Sequence, residues 1–280
     1  MHWLRSHPLS TSFLLYGLAA LWFLVPALFA PSEAAFGAGE QERGAAAFSA
    51  NVLPELVLCV ILLGVIGALG WWKDTHFTTR VRPLALLFMV PPFALTALVA
   101  LVPYIKLLAE GEPLDVAPFP VAALVPVLFM ALLVGIFEEG LFRGCLLHGM
   151  RQRMPAVMAV IVTAFLFGAL HVVNWVDGQP LDITLAQMMS AAGGGVLYGA
   201  LVLWTNSIWP SVVLHALWDA AITVQEEVMV DLPSALQHGE LSPSEAAPTL
   251  ASAIRSPELI YGALLLVALL LRNWFRRRGA

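Results

Sequence analysis

The sequence predicts an all-α fold, a polytopic transmembrane helical bundle of about eight spans. Three observations carry this. The chain has 280 residues, of which 60% are hydrophobic and only 12% charged, about half the charged share of a soluble domain. The apolar residues gather in runs near the ~20 residues needed to cross a bilayer. The few Lys and Arg residues sit between those runs in an alternating pattern. The same arithmetic excludes disordered and collagen-like chains. Cys59 and Cys145 lie within apolar runs, as buried thiols rather than a disulfide framework. A net charge of −5 leaves no basic footprint for nucleic acid.

The runs fall at 13–30, 52–72, 84–105, 120–147, 155–173, 185–204, 207–224 and 257–271. Pro26, Pro91, Pro92 and Pro210 lie within them, which a membrane bundle tolerates because neighbouring helices satisfy the freed carbonyls. The first run follows Arg5 and precedes small residues near Ala34, as in a signal peptide. Its apolar stretch of about 18 residues is longer than a usual signal core, so an uncleaved span is expected. With the N-terminus inside, ten of the fourteen basic residues fall on the cytoplasmic side: Arg5, Lys73, Arg80, Arg82, Arg151, Arg153, Arg272 and Arg276 to Arg278. Arg43, Lys106 and Arg255 fall outside, and Arg143 lies within a span. Both termini are therefore expected in the cytoplasm, with acidic outer loops.

No repeat or separate soluble domain is evident. The Pro-containing stretches 106–119 and 232–249 read as connectors. The chain divides into N-terminal spans (1–119), a polar-bearing core (120–224), and an acidic outer loop with a last span (225–280). Gly195 and Gly199 form a GxxxG pair in the sixth run, a close-packing helix face.

An ionisable group in a bilayer costs at least ~2.5 kcal/mol on insertion scales. Six stand out within the runs: Glu138, Glu139, Arg143, His171, His215 and Asp219. Glu139 and Arg143 are four apart, so they share a helix face and can pair, whereas Glu138 is rotated about 100° away. That spacing predicts a division of labour, with Arg143 holding Glu139 and Glu138 free to exchange a proton. Phe167 and His171 share a face at the same spacing, as do His215 and Asp219. Asp219 can orient the imidazole or act separately. At ~1.5 Å per residue, Glu138, His171, His215 and Asp219 lie about 20, 25, 17 and 23 Å from their cytoplasmic helix ends. One shared site near the midplane is feasible, provided Gly140 and Gly144 do not break the fourth helix.

Two imidazoles and a carboxylate can bind zinc with an open position for water, which makes Glu138, His171 and His215 a candidate metal set. They can also run metal-free general acid–base hydrolysis. HExxH and GxSxG motifs are absent. The simplest chemistry is water attack on a peptide carbonyl, with Glu138 as base, His171 positioning the water, and His215 and Asp219 near the oxyanion. A proton-coupled transporter would also bury Glu and His, but would show matching halves, and here the ionisable groups all fall in the second.

Glu138-Glu139-x-x-x-Arg143, Phe167-x-x-x-His171 and His215-x-x-x-Asp219, in that order on three hydrophobic helices, resemble the signature of the CAAX-protease and bacteriocin-processing (CPBP, or Abi) family of intramembrane endopeptidases. The resemblance covers about residues 120–224. It implies a CAAX-protease-like helical core that cleaves membrane-associated or exported peptide and membrane-protein substrates, as a multi-pass protein of a bacterial inner membrane. It implies that Glu138 activates water, that Glu139 and Arg143 support it, and that His171 and His215 are catalytic. It leaves open a metallo- or a glutamate-type endopeptidase. The third motif usually ends in Asn, and an ionised Asp219 cannot donate a hydrogen bond to an oxyanion. A non-catalytic immunity or scaffold role is the alternative within the family.

Overall fold

In the computed structural model, residues 2–29, 52–110, 121–230 and 249–278 are described, and every regular element among them is helical. Eight long helices follow the predicted runs. They are α1 (Pro8–Phe29), α2 (Val52–Leu69), α3 (Val90–Glu110), α4 (Val121–Glu139), α5 (Ala156–Leu170), α6 (Leu181–Thr205), α7 (Trp209–Val230) and α8 (Pro257–Arg278). Arg43, Ala34 and the segments 111–120 and 231–248, including most of both expected connectors, lie outside the described residues.

Among the described residues, seven helical segments are long and apolar enough to cross a membrane. The expected eighth, α7, has the length at 22 residues, but its polar side chains keep it out of that group. His215 and Asp219 lower its hydropathy, together with Gln225, Glu226 and Glu227. The last span is longer than its apolar run. It starts at a short capped helix, Leu250–Ile254, whose Thr249 and Ser252 form a capping box, and it runs to Arg278. Leu14, Leu18, Leu87, Leu264 and Val267 are exposed, as lipid-facing residues of apolar helices are.

The fourth run is not broken at its glycines. α4 passes into a π-helical stretch, Gly140–Leu146, and then into a last α-turn, Leu147–Arg151. A π segment within an α-helix is rare and frequent at functional sites. Here it carries Arg143 and is buried throughout. Its Cys145 carbonyl accepts a hydrogen bond from Ser12 Oγ on α1 at 2.6 Å, so a hydroxyl from another helix satisfies a backbone group that water cannot reach.

Other side chains tie helix to helix in the same way. Tyr16 Oη donates to the Leu166 carbonyl (3.2 Å), Cys59 Sγ to Leu133 (3.1 Å) and Trp204 Nε1 to Leu265 (2.9 Å). Both cysteines are buried free thiols, as expected. α1 is thus bonded to α5 and to the π segment. The core runs through the middle of the bundle, where Ile66, Phe142, Leu197 and Ile208 are fully buried. The GxxxG pair packs α6 on α5. A Cβ on Gly199 would fall 2.6 Å from Val160 Cγ1, and one on Gly195 would fall 2.9 Å from both Ala164 Cα and Arg143 Nη2. Only glycine lets the two helices approach this closely with the guanidinium between them.

Candidate active site

Glu138 and Glu139 end α4, one residue before the π stretch. Glu139 and Arg143 are fully buried and joined by a 2.8 Å hydrogen-bonded ion pair at the expected spacing. The pair does not stand alone. Arg143 Cζ lies 4.4 Å from the centroid of the Phe167 ring and 5.3 Å from that of Tyr198, so two aromatic faces cover the cation. Glu139 Oε2, Arg143 Nε and Arg143 Nη2 have no hydrogen-bond partner. The charges are therefore held mainly by each other and by the rings.

The other oxygen contact of Glu139 comes from α7. Nδ1 of His215 lies 2.9 Å from Glu139 Oε1, the same atom that Arg143 engages. A carboxylate next to an arginine is an acceptor, so Nδ1 carries the proton and donates. The imidazole is stacked on Tyr198 (5.1 Å between centroids, 18°) and meets the edge of Phe167 (5.8 Å, 79°). Its far nitrogen, Nε2, faces Glu138 Oε2 at 3.5 Å and Asp219 Oδ2 at 3.6 Å. Five of the six expected residues thus meet around one imidazole ring.

The two glutamates approach that ring from opposite nitrogens. Glu139 has no exposed side-chain area, while Glu138 keeps 18% and Asp219 23%. Asp219 stands close to the ring without a hydrogen bond to it. Its contact with Nε2 is longer than a hydrogen bond, and the bond that orients His215 comes from Glu139.

His171 is the sixth residue, and it stands one ring away. It ends α5 where the chain bends into the short helix Val172–Val176. Nδ1 is 3.1 Å from the Phe167 carbonyl, so it donates there and leaves Nε2 bare. The His171 and Phe167 rings meet edge to face at 5.2 Å, and Phe167 also touches His215. Phe167 therefore touches both histidines while cradling Arg143.

Sequence reasoning missed Glu55. It lies in the first turn of α2, within a predicted span, and is 8% exposed. Its charge is close enough to act on Glu138 and on Cys59. The available signal was a glutamate four residues before Cys59 in an otherwise apolar stretch.

The zinc expectation fares differently. Among the described residues no three His, Cys, Asp or Glu side chains are arranged to hold a metal ion. Glu138, His171 and His215 are not drawn together as such a group. Nδ1 of each histidine is taken by an internal acceptor, which leaves Nε2 as the nitrogen turned to any ligand.

The three motif helices, the π stretch and the packing of α6 all fall within one match to a known family. Residues 120–221 match the model of the family described as Type II CAAX prenyl endopeptidase Rce1-like. The matched segment, under half of the chain, is similar to an Rce1-like domain. That agrees with the resemblance to the CPBP family, and the domain holds all six motif residues. No curated protein and no solved structure matches the chain. The Rce1-like family is one of CAAX-protease-type intramembrane endopeptidases, and seven apolar helices mark a multi-pass membrane protein.

Proposed function

We propose that the Rce1-like domain hydrolyses peptide bonds of membrane-associated or exported substrates, using water activated at Glu138. The observation that carries this is the unequal state of the two adjacent glutamates. Glu139 is sealed between Arg143 and His215, while Glu138 faces the same imidazole from an accessible position. One carboxylate builds the site and the other is free to exchange a proton with a ligand.

Glu138 takes a proton from water as the hydroxyl oxygen attacks the peptide carbonyl. His171 Nε2, bare because Nδ1 is committed to the Phe167 carbonyl, accepts the water's second hydrogen and orients it. The tetrahedral oxyanion forms beside His215. With Nδ1–H given to Glu139, a proton on Nε2 would be the donor to that oxyanion, and Asp219 would support the charge on the ring. Collapse breaks the C–N bond, and Glu138 returns its proton to the leaving amine. The products are a carboxylic acid and an amine. Arg143, Tyr198 and Phe167 touch no reacting atom and act by positioning. No step passes through a metal. The protein acts in a bacterial plasma membrane with both termini in the cytoplasm, the orientation favoured by the basic residues.

The test is cleavage of membrane-tethered peptides by the full chain in liposomes, with Glu138→Gln beside the wild type. Turnover should fall by about 10²–10⁴, the usual contribution of a general base. A Glu138→Gln protein that folds and cleaves at the wild-type rate would refute this reading. It would favour a scaffold or immunity role if the wild type were equally inert. Comparing membrane proteomes of wild-type and Glu138→Gln cells would identify the substrate as the precursor that accumulates.

A further inference from the structure

One cavity of the molecule lies away from the glutamates. It occupies about 310 Å³, near the lower end of ligand-sized pockets, at the end of the bundle where α4 gives way to Leu147–Arg151. Lys73, Asp74, His76, His148 and Arg151 line it. A second cavity of about 210 Å³ shares His76 and Arg151 with it, and adds Arg82 and Arg272. Across the two, four fixed cations face a single carboxylate, Asp74.

Within this cluster, donors outnumber acceptors. Arg151 Nη1 lies 3.3 Å from His76 Nε2. A guanidinium only donates, so Nε2 must accept, and the ring proton is on Nδ1. That N–H makes no hydrogen bond of good geometry, although the Asn206 carbonyl is close enough to favour a proton there. Burial, with Arg151 and His148 facing it, holds His76 below its ordinary value and keeps the ring neutral. On the other wall Arg272 is stacked on the Trp204 ring (4.3 Å), with its Nε buried and unpartnered. Its charge is near enough to those of Arg82 and Arg276 for them to repel. Buried donors without acceptors among like charges are costly unless an anion completes them.

We propose that the paired cavities bind a phosphate-bearing anion. Its oxygens would accept from Arg151, Lys73, His76 Nδ1 and Arg272. A phosphate offers more acceptor oxygens than a carboxylate and suits several converging cations. The second cavity is also lined by Ala156, Val202, Leu203 and Leu269. An apolar wall beside the cations favours a phospholipid headgroup with the start of its chains over free phosphate, as in basic pockets between transmembrane helices.

The test is native mass spectrometry of the full chain released from mixed micelles of phosphatidylglycerol and phosphatidylcholine with matched acyl chains. A parallel series adds inorganic phosphate and follows thermal unfolding. The wild type should retain phosphatidylglycerol in preference. Arg151→Gln and Arg272→Gln should each lower that preference about fivefold, the effect of one basic residue near a headgroup. Arg153→Gln, an exposed basic residue outside both cavities, should not lower it. Stabilisation by inorganic phosphate that Arg151→Gln abolishes, without a lipid preference, would identify free phosphate as the source at the same site. Equal retention of the two lipids with no effect of phosphate would overturn the proposal. So would a preference that Arg151→Gln and Arg272→Gln leave intact, or one that Arg153→Gln lowers equally.

Discussion

Oε1 of Glu139 accepts from Arg143 on its own helix at 2.8 Å and from His215, on α7, at 2.9 Å. One buried oxygen thus joins the first and third motifs and fixes which nitrogen of His215 is turned towards Glu138.

The shared oxygen makes Arg143 a structural requirement. Arg143→Gln would leave Glu139 buried with its charge uncompensated, at a cost of about 3–5 kcal/mol. The expected result is a lowered melting temperature in detergent. An unchanged melting temperature would mean that Tyr198, Phe167 and His215 compensate Glu139 without the arginine.

Asp219 faces His215 Nε2 across 3.6 Å without orienting the ring. Asp219→Asn preserves the shape and supplies an amide donor. Turnover of a tethered peptide should therefore stay within roughly tenfold of the wild type, about 1.4 kcal/mol in barrier. A loss like that of Glu138→Gln would show that the negative charge of Asp219 is needed.

The donor arrangement predicts the response to chelation. Because Glu138, His171 and His215 are not grouped as ligands, peptide cleavage in liposomes should survive a strong zinc chelator. Loss of turnover on chelation, restored by zinc, would require Glu138, His171 and His215 to draw together as ligands.

His76 gives the pH dependence a sign. Its folded-state value lies below its ordinary value of about 6.5, so below that pH the unfolded chain binds more protons. Its contribution to stability is complete above about pH 6.5 and is lost as the pH falls towards its folded value. His76→Asn keeps the left-handed backbone (φ 63°) accessible and removes the titrating ring. Its melting temperature should fall less than that of the wild type between about pH 6.5 and 5. Parallel curves would place the acid sensitivity elsewhere.

Much of this molecule is local and therefore legible in the sequence. Apolar run length identifies the spans, because a bilayer sets the length of a helix that crosses it. The Glu139–Arg143 pair follows from helical spacing alone, and so does the close-packing face of Gly195 and Gly199. The separation of Glu138 from that pair was also visible, since about 100° divides adjacent residues on a helix.

What the tertiary structure decided lies between helices, where no spacing rule reaches. The rotation of α7 against α4 directs Nδ1 of His215 to Glu139 and Nε2 to Glu138 and Asp219. The seat of α6 on α5 brings Tyr198 over His215 and, with Phe167, over Arg143. The packing of α2 brings Glu55 within reach of Glu138's charge. Helix periodicity fixes which residues of one helix share a face. Which faces meet, and at what depth, is set by side-chain packing along the whole contact.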